Sequence, residues 1–242
     1  MTDQLTLPIL KDLIPGGFGY GVNLMVEFEP QSIWYDSSLT MAAGALRSGI
    51  RTDYHAYAHS PDEIIEALSK FGLDTAKLEE ADVLRILDSY SVQVGEKPRK
   101  SKAPSHYSVS LDLTDWKYGR REALGRGIDE SHKRRLHIDD DASVMLRYNS
   151  EAKLLDVWRT KGRPYNKALE LAMMIAMPTG VESSSFIGRY ELLNDGIIDF
   201  KSVEKEGRMQ QLVRVRMMRG RNYDTRWHRL GILDNGEVTL LD

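Results

Sequence analysis

Short apolar segments alternate with helix-forming segments along this chain, and that alternation limits the fold more than any other feature. Residues 22–28 (VNLMVEF), 51–58 and 83–88 have the length and apolar content of buried strands, whereas 38–47 and 60–71 have the composition of helices. Strands that alternate with helices pair in parallel through right-handed crossovers. The sequence therefore predicts an α/β fold, with a mostly parallel sheet flanked by helices.

The helix that follows the second strand carries a complete start signal. Ser60 is a capping residue, Pro61 suits the first helical position, and Glu63 completes a capping box. Gly72 is placed where a helix commonly ends. We therefore expect this helix to begin at Pro61 and to end before Gly72.

The second half of the chain continues the alternation and then changes character. Strands are predicted at 108–113, 135–139 and 173–177, and helices at 115–124 and 151–171, the latter broken near Gly162–Pro164. The final quarter has the pattern of antiparallel hairpins, because Asn235-Gly236 is a strong two-residue turn signal. We expect these strands to extend one edge of the sheet, and residues 1–242 to form a single domain.

Composition excludes several classes of protein. The 33 basic and 36 acidic residues give a net charge of −3, so the chain as a whole is not a basic nucleic-acid binder. The absence of cysteine excludes disulfides, thiolate chemistry and cysteine zinc sites. The chain has no run of about 18 apolar residues and no signal-peptide pattern. We therefore expect a cytoplasmic protein without a membrane partner.

The connection between the first strand and its helix is unusual. A strand, a short polar loop and an apolar helix (LTMAAGAL) follow one another as in a phosphate-binding loop, with Ser37 expected to cap the helix. Yet the loop has no glycine and no lysine, and Trp34, Tyr35 and Asp36 stand there instead. Non-glycine residues disfavour the positive-φ turns that let backbone N–H groups converge on phosphate, and no side chain supplies a cation.

Six segments, taken in order, resemble one known family. They are 13–30 (LIPGGFGYGVNLMVEFEP), 60–74 (SPDEIIEALSKFGLD), 83–91 (VLRILDSYS), 134–146 (RRLHIDDDASVML), 190–201 (YELLNDGIIDFK) and 218–232 (MRGRNYDTRWHRLGI). Together they are similar to the KaiC/RadA branch of the RecA-type ATPases, and above all to stand-alone archaeal KaiC-like proteins. The resemblance implies a RecA-like core of the P-loop NTPase type and a tendency to form rings or filaments. It implies no activity by itself.

The resemblance identifies the loop as a degenerate Walker A motif. The positions that match the family's phosphate loop are Glu29, Pro30, Gln31, Ser32, Trp34, Asp36, Ser37 and Ser38. We expect residues 31–36 to fold over the end of the first strand and to leave no nest for a triphosphate. The alternative is a rebuilt site for ATP and magnesium, in which Ser37 and Ser38 offer hydroxyls at a helix N-terminus.

Other positions that the resemblance links to catalysis have also changed. The family's pair of catalytic glutamates is replaced here by Ala58 and His59. Its C-terminal K-x-R-G motif reaches the neighbouring subunit's nucleotide, and in this chain Met217 replaces the lysine while Arg219 remains. Phosphoryl transfer depends on positioning and charge neutralisation. These losses predict a pseudoenzyme that does not hydrolyse ATP and holds no cofactor.

Acidic residues remain at the family's Walker B position, as Asp139 and Asp140. In the fold that the resemblance implies, the end of the second strand faces this position, so His59, Asp139 and Asp140 could together hold a divalent metal. We favour the interpretation that no metal binds here and that His59 is a polar residue hydrogen-bonded to aspartate. We then expect hydrogen bonds from His59, Ser37 or Ser38 to hold Asp139.

Residues 214–229 (RVRMMRGRNYDTRWHR) form a strongly basic strip of six arginines against one aspartate. Arginines with interleaved aromatic residues can bind phosphate and stack on bases. An amphipathic strand also explains the alternation, and in the family this region lies at the subunit interface. We favour the interface and expect Met217, Arg219 and Trp227 near it, with nucleic acid as the alternative partner.

The residues therefore favour a non-catalytic domain that acts as a scaffold or regulatory partner. It would do so by self-association into a homo-oligomer or by binding another protein. The alternatives are a nucleotide-binding ATPase with a rebuilt phosphate site and a RadA-related nucleic-acid accessory protein.

Overall fold

A nine-stranded sheet organises the part of the molecule that the structure describes. The structure is a computed structural model that describes residues 4–106, 110–113 and 130–241, apart from the side chain of residue 130. A short separate ribbon pairs β1 (Gln4–Leu5) with β2 (Phe18–Gly19). The strands of the main sheet are β3 (Asn23–Phe28), β4 (Thr52–Ala56), β5 (Leu84–Asp88), β6 (Leu136–Asp139), β7 (Ala172–Pro178), β8 (Gly196–Lys205), β9 (Arg208–Met218), β10 (His228–Ile232) and β11 (Val238–Leu240).

The strands lie in the order β11-β10-β9-β8-β3-β7-β6-β4-β5. From β5 to β8 all neighbours are parallel, and β9, β10 and β11 then continue the sheet as antiparallel strands. The predicted turn at Asn235-Gly236 joins β10 to β11, with Gly236 at φ +88°. The predicted fold class and the antiparallel extension of one sheet edge are therefore confirmed.

Helices connect the parallel strands. They are α1 (Leu10–Leu13), α2 (Trp34–Arg47), α3 (Pro61–Lys70), α4 (Thr75–Glu80), α5 (Tyr90–Gln93), α6 (Glu151–Val157), α7 (Arg163–Ala168) and α8 (Ser184–Glu191). The predicted capping box is confirmed, because the Ser60 Oγ accepts from the Glu63 N–H (3.3 Å) and the Glu63 carboxylate accepts from the Ser60 N–H (2.7 Å). No helix in the described part of the chain combines the length and the apolar composition that crossing a bilayer requires.

Two sequence predictions need correction. The helix predicted over 151–171 is not broken near Gly162, because a π-helical segment, Trp158–Gly162, joins α6 to α7. A glycine is needed at its end, since a Cβ on Gly162 would lie 2.4 Å from the Trp158 ring. The strand predicted over 108–113 is not formed at 110–113, and its first residues, with the helix predicted at 115–124, lie outside the described part of the chain.

Apolar side chains pack on both faces of the sheet. On the first face, α2 and α3 cover residues such as Leu24, Tyr54 and Ile138. On the second face, Ile175 packs with Tyr190 of α8 and with the helices around it. Successive side chains of a strand point to opposite faces. Every second side chain of β4 and β6 therefore lies on the first face of the sheet, and the side chains between them lie on the second face.

Candidate functional site

Helix α2 begins earlier than the sequence suggests. It starts at Trp34, and no side chain caps it. Ser37, expected as the cap, lies inside the helix, where its hydroxyl donates to the Ile33 carbonyl (2.7 Å). The Ser38 hydroxyl donates to the Tyr35 carbonyl (2.7 Å). The capping prediction is therefore wrong, and both hydroxyls are already used inside the helix.

Trp34 is buried at the first position of α2, with a relative exposure of 2%. Its ring packs edge-on against Phe200 and lies over Phe28, with centroids 5.2 and 6.3 Å away. Its Nε1–H donates to the Asp140 carbonyl (2.9 Å). The indole thus ties the start of α2 to the end of β6, which requires the helix to begin here.

The loop between β3 and α2, residues 29–33, has no left-handed backbone. The described non-glycine residues with positive φ lie elsewhere, at Ile9, Asp82, Arg134, Glu170 and Glu206. An anion nest requires alternating left- and right-handed residues so that successive N–H groups converge. The backbone of 29–33 does not make that cradle.

Two side chains, Glu29 of the loop itself and Gln211 of β9, hold the same loop against the antiparallel strands. The Glu29 carboxylate accepts from the Ser202 N–H (2.9 Å). Gln211 on β9 accepts from the Ile33 N–H (3.1 Å) and donates to the Gln31 carbonyl (3.4 Å). No sequence pattern marks Gln211, because it is one polar residue in an alternating strand and its partners are about 180 positions away in the chain.

The Asp140 carboxylate is occupied by the segment that follows β4. It accepts from the backbone N–H groups of Tyr57 (2.8 Å), Ala58 (3.1 Å) and His59 (3.1 Å). The His59 Nδ1 lies 3.2 Å from the same carboxylate, and its ring stacks on Tyr35 at 3.4 Å between centroids. Ala58 and His59, where the resemblance predicts lost catalytic glutamates, therefore supply hydrogen-bond donors to Asp140.

Asp139 points to the second face and meets different partners. Its Oδ1 lies 2.9 Å from the His137 Nε2 and 3.3 Å from the His55 Nδ1. The expectation that His59, Ser37 or Ser38 would hold Asp139 is wrong, and His59, Asp139 and Asp140 do not form one cluster. The reason is the strand pleat, which sends consecutive aspartates to opposite sides.

The three groups of this second cluster, His55, His137 and Asp139, are buried. Burial lowers the pKa of His55. For His137, burial also acts to lower the pKa, but the adjacent Asp139 carboxylate outweighs it and raises the pKa to about 9. The two imidazoles outweigh the effect of burial on Asp139 and hold the pKa of that carboxyl well below its usual range. These residues are the ones in the described part of the chain that could hold a metal ion.

A buried ion-pair network continues from this cluster along the second face. The Arg135 Nε lies 2.5 Å from the Asp53 carboxylate, and the Arg85 guanidinium lies 3.8 Å from it. Burial acts to raise the pKa of Asp53, but His137, Arg135 and Arg85 lower it to about 2. The two arginines and Asp53 are thus paired among themselves at the edge of the histidine cluster.

Acidic neighbours neutralise much of the arginine strip. Arg214 pairs with Asp199 (2.7 Å), and Arg226 pairs with Asp224 (2.6 Å). Arg216 lies between carboxylates of the second face and pairs with Asp199 (3.3 Å), Glu191 (2.8 Å) and Glu27. A guanidinium that is already paired has less to offer a nucleic-acid phosphate.

The residues expected at an interface lie in different parts of the C-terminal sheet. Trp227 lies between two cations, with the Lys201 Nζ 3.9 Å and the Arg214 Cζ 4.5 Å from its ring. Met217 is half-buried on β9. Arg219 follows β9, is exposed, and donates to the Leu192 carbonyl (3.2 Å).

Comparison with known proteins agrees with this architecture. The model of the family described as "ATPase: KaiC" matches residues 41–241 of the chain. The chain belongs to this KaiC family. Its matched region begins within α2 and does not include the loop 29–33.

Proteins similar to this KaiC-family chain come from archaeal Pyrococcus species. UPF0273 protein PF1931 of Pyrococcus furiosus and UPF0273 protein PH0284 of Pyrococcus horikoshii are each 24% identical, over 95% of this chain and 85% of their own length. The crystal structure of the KaiC-like protein PH0186 from Pyrococcus horikoshii OT3 has the same fold, with a TM-score of 0.71 at 16% identity. That match covers 100% of this chain and 99% of the other.

The anchoring role of Trp34 can be tested by substitution. Trp34→Ala removes a buried indole and should lower the free energy of unfolding by about 3–5 kcal/mol. Trp34→Phe keeps a ring beside Phe200 and loses the hydrogen bond to Asp140, so it should cost about 1–2 kcal/mol. Urea denaturation followed by circular dichroism measures both. Tyr148→Ala, at a residue that is 45% exposed, is the control. A Trp34→Ala variant as stable as this control would contradict the assignment.

The carboxylates around Arg216 make stability depend on pH. Burial, and then the hydrogen bond with Glu191, raises the pKa of Glu27 from 4.5 to about 7, although Arg216 opposes the shift. The folded state then binds the proton more tightly than the unfolded state. Stability should therefore fall as the pH rises through this window, and Glu27→Gln should reduce the fall.

The measurement for Glu27 is urea denaturation of both proteins at about pH 5 and pH 8. The difference between the two pH values should be smaller in Glu27→Gln than in the wild type. Glu204→Gln, which removes an exposed carboxylate from β8, should keep the wild-type difference. Equal pH dependence in wild type and Glu27→Gln would show that Glu27 does not titrate in this range.

Proposed function

We propose that this KaiC-family domain does not hydrolyse ATP and acts as a scaffold or regulatory partner, by self-association or by binding another protein. One observation carries the proposal. The loop 29–33 has no positive-φ residue that would form a nest, and Gln211 holds it against the sheet. A triphosphate would have to displace these contacts without a lysine to neutralise its charge.

The surroundings of the loop support the same proposal. The Trp34 indole and the Tyr35–His59 stack lie where the loop meets the Walker B strand. Asp36, half-buried in the first turn of α2, places a carboxyl rather than a cation at the start of the helix, although burial raises the pKa of that carboxyl and so reduces its charge. Phosphoryl transfer is almost entirely positioning and charge neutralisation, and these residues supply neither.

The loss of the catalytic glutamates points in the same direction. Ala58 has no acidic group, and His59 faces the carboxylate of Asp140. Asp140 is itself held by the N–H groups of Tyr57, Ala58 and His59. A general base for the attacking water is thus missing, and one of the two Walker B acids serves to fix the chain after β4.

The C-terminal strands offer a surface for protein association. β11 is an edge strand of the sheet. Ile232, Leu233 and Leu241, on and beside β10 and β11, are about half exposed, at 59%, 49% and 52%. Exposed edges and clustered apolar side chains are typical of interaction sites. The neutralised arginines beside them favour protein over nucleic acid as the partner.

The proposed lack of ATP binding is tested by calorimetric titration of the wild type with ATP, with and without magnesium. We expect no binding at micromolar concentrations. Gln211→Ala, which releases the loop, should not restore binding, because the lysine and the glycines are still missing. Gln210→Ala, at the neighbouring position of β9, is the matched control.

Micromolar ATP affinity of the wild type would overturn the proposal and favour the nucleotide-binding alternative. Magnesium-dependent release of phosphate would further show an active ATPase.

The proposed self-association is tested by light scattering, which measures the mass of the assembly. We expect a homo-oligomer that Ile232→Asp and Arg219→Ala weaken. Val181→Asp removes an apolar residue of similar exposure, 62%, outside the C-terminal strands and should leave the mass unchanged. A wild type that stays monomeric at tens of micromolar at every salt concentration would overturn self-association and leave another protein as the partner.

A further inference from the structure

The histidine cluster on the second face of the sheet has the composition of a metal site. We propose that His55, His137 and Asp139 bind one divalent transition-metal ion such as zinc. Two imidazoles and one carboxylate are typical ligands of zinc, iron, cobalt and nickel, whereas magnesium prefers oxygen ligands alone. The proposed ion is therefore different in kind from the magnesium that accompanies ATP.

The distances within the cluster fit shared coordination. Ligands about 2.1 Å from an ion, at angles between octahedral and tetrahedral, lie about 3.0 to 3.4 Å from one another. The Asp139 Oδ1 lies 2.9 Å from the His137 Nε2 and 3.3 Å from the His55 Nδ1. All three ligand atoms lie within 4.8 Å of one another. The two imidazole planes are nearly perpendicular, at 88°, so they approach the carboxylate from different directions.

The outer nitrogen of His55 has a partner of the kind that metal-bound histidines use, and the outer nitrogen of His137 faces a carboxylate beyond hydrogen-bond distance. The His55 Nε2 lies 2.7 Å from the Ser89 hydroxyl. The His137 Nδ1 lies 3.9 Å from the Asp53 carboxylate. A hydrogen-bonded group such as Ser89 fixes the orientation of the imidazole and makes its inner nitrogen a better ligand. Both rings therefore turn one nitrogen to another polar side chain and the other to Asp139.

Charge balance supports a cation at this position. Asp139 is buried, and in the described part of the chain its ion-pair partners are His55 and His137. The nearby arginines, Arg85 and Arg135, pair with Asp53 and the acids next to it. A buried carboxylate requires a compensating charge. Either a protonated histidine or a metal ion can supply this compensating charge, and the two cases give different results in a zinc titration.

Position in the fold separates this site from the loop 29–33. His55 and Asp139 face each other across β4 and β6, which pair in parallel. They alternate with Tyr54 and Ile138, which pack on the face covered by α2. The Tyr57 ring stacks on His55 at 3.8 Å and covers the cluster from one side. The metal site thus does not depend on the proposed function or on nucleotide.

The experiment is a calorimetric zinc titration of chelator-treated, folded protein without nucleotide. We expect one zinc ion per chain and no comparable binding of magnesium. His55→Ala and Asp139→Asn should weaken zinc binding at least about 100-fold, and Ser89→Ala, which keeps all three ligands, about 10-fold or more. His228→Ala is the matched control, since the His228 Nε2 lies 3.3 Å from Asp224 without a second imidazole.

The outcomes decide between a metal site and a buried ion pair. A wild type that does not bind one zinc ion, or binding that survives in both His55→Ala and Asp139→Asn, overturns the proposal. If circular dichroism shows that these two variants do not fold, Ser89→Ala decides, and an unchanged zinc affinity in it overturns the proposal. ATP binding by the wild type would overturn the proposed function and leave the zinc result as it stands.

Discussion

The parallel pairing of β4 with β6 is the constraint on which the rest of the site depends. It sets His55 opposite Asp139 and brings the chain after β4 over the end of β6. Because the pleat then sends Asp139 and Asp140 in opposite directions, one register produces two separate polar centres. Asp140 organises the first face, where it holds the backbone of Tyr57, Ala58 and His59. Asp139 organises the second, where both neighbouring imidazoles converge on it.

On the first face, a buried aromatic residue begins the helix that follows β3. A nucleotide-binding loop stays open because its N–H groups find their partners on phosphate. Here the contacts are internal: the Trp34 indole donates to the Asp140 carbonyl, and Gln211 binds the backbone on both sides of Ser32. The burial of Trp34 adds apolar stabilisation that a glycine cannot provide. In the proposed function, the same geometry that stabilises the start of α2 would work against a bound triphosphate.

On the second face and in the C-terminal strands, charges are arranged in compensating groups. Asp53 with Arg135, and Arg216 with Glu27 and Glu191, bring acids and bases together in positions of low exposure. Replacing one partner leaves the other without compensation, which costs more than the pair contributes. Three of the six arginines of the strip, Arg214, Arg216 and Arg226, take part in such ion pairs. The apolar residues of β10 and β11 remain exposed beside the strip.

Apart from the strand predicted over 108–113, local signals in the sequence predicted the strands of the main sheet, the capping box at Ser60 and the hairpin at Asn235-Gly236. Each depends on residues within one or a few turns, so the pattern of apolar and turn-forming residues is sufficient. The resemblance of six segments to KaiC-like proteins predicted the family, which the family model confirms, whereas the phosphate-loop and Walker B positions stay a prediction. Tertiary structure decided the rest. Trp34 starts α2 because Asp140 accepts its hydrogen bond, whereas the sequence pointed to Ser37. Gln211 and Asp139 find their partners across neighbouring strands, and no short-range pattern records which side chains a sheet will bring together.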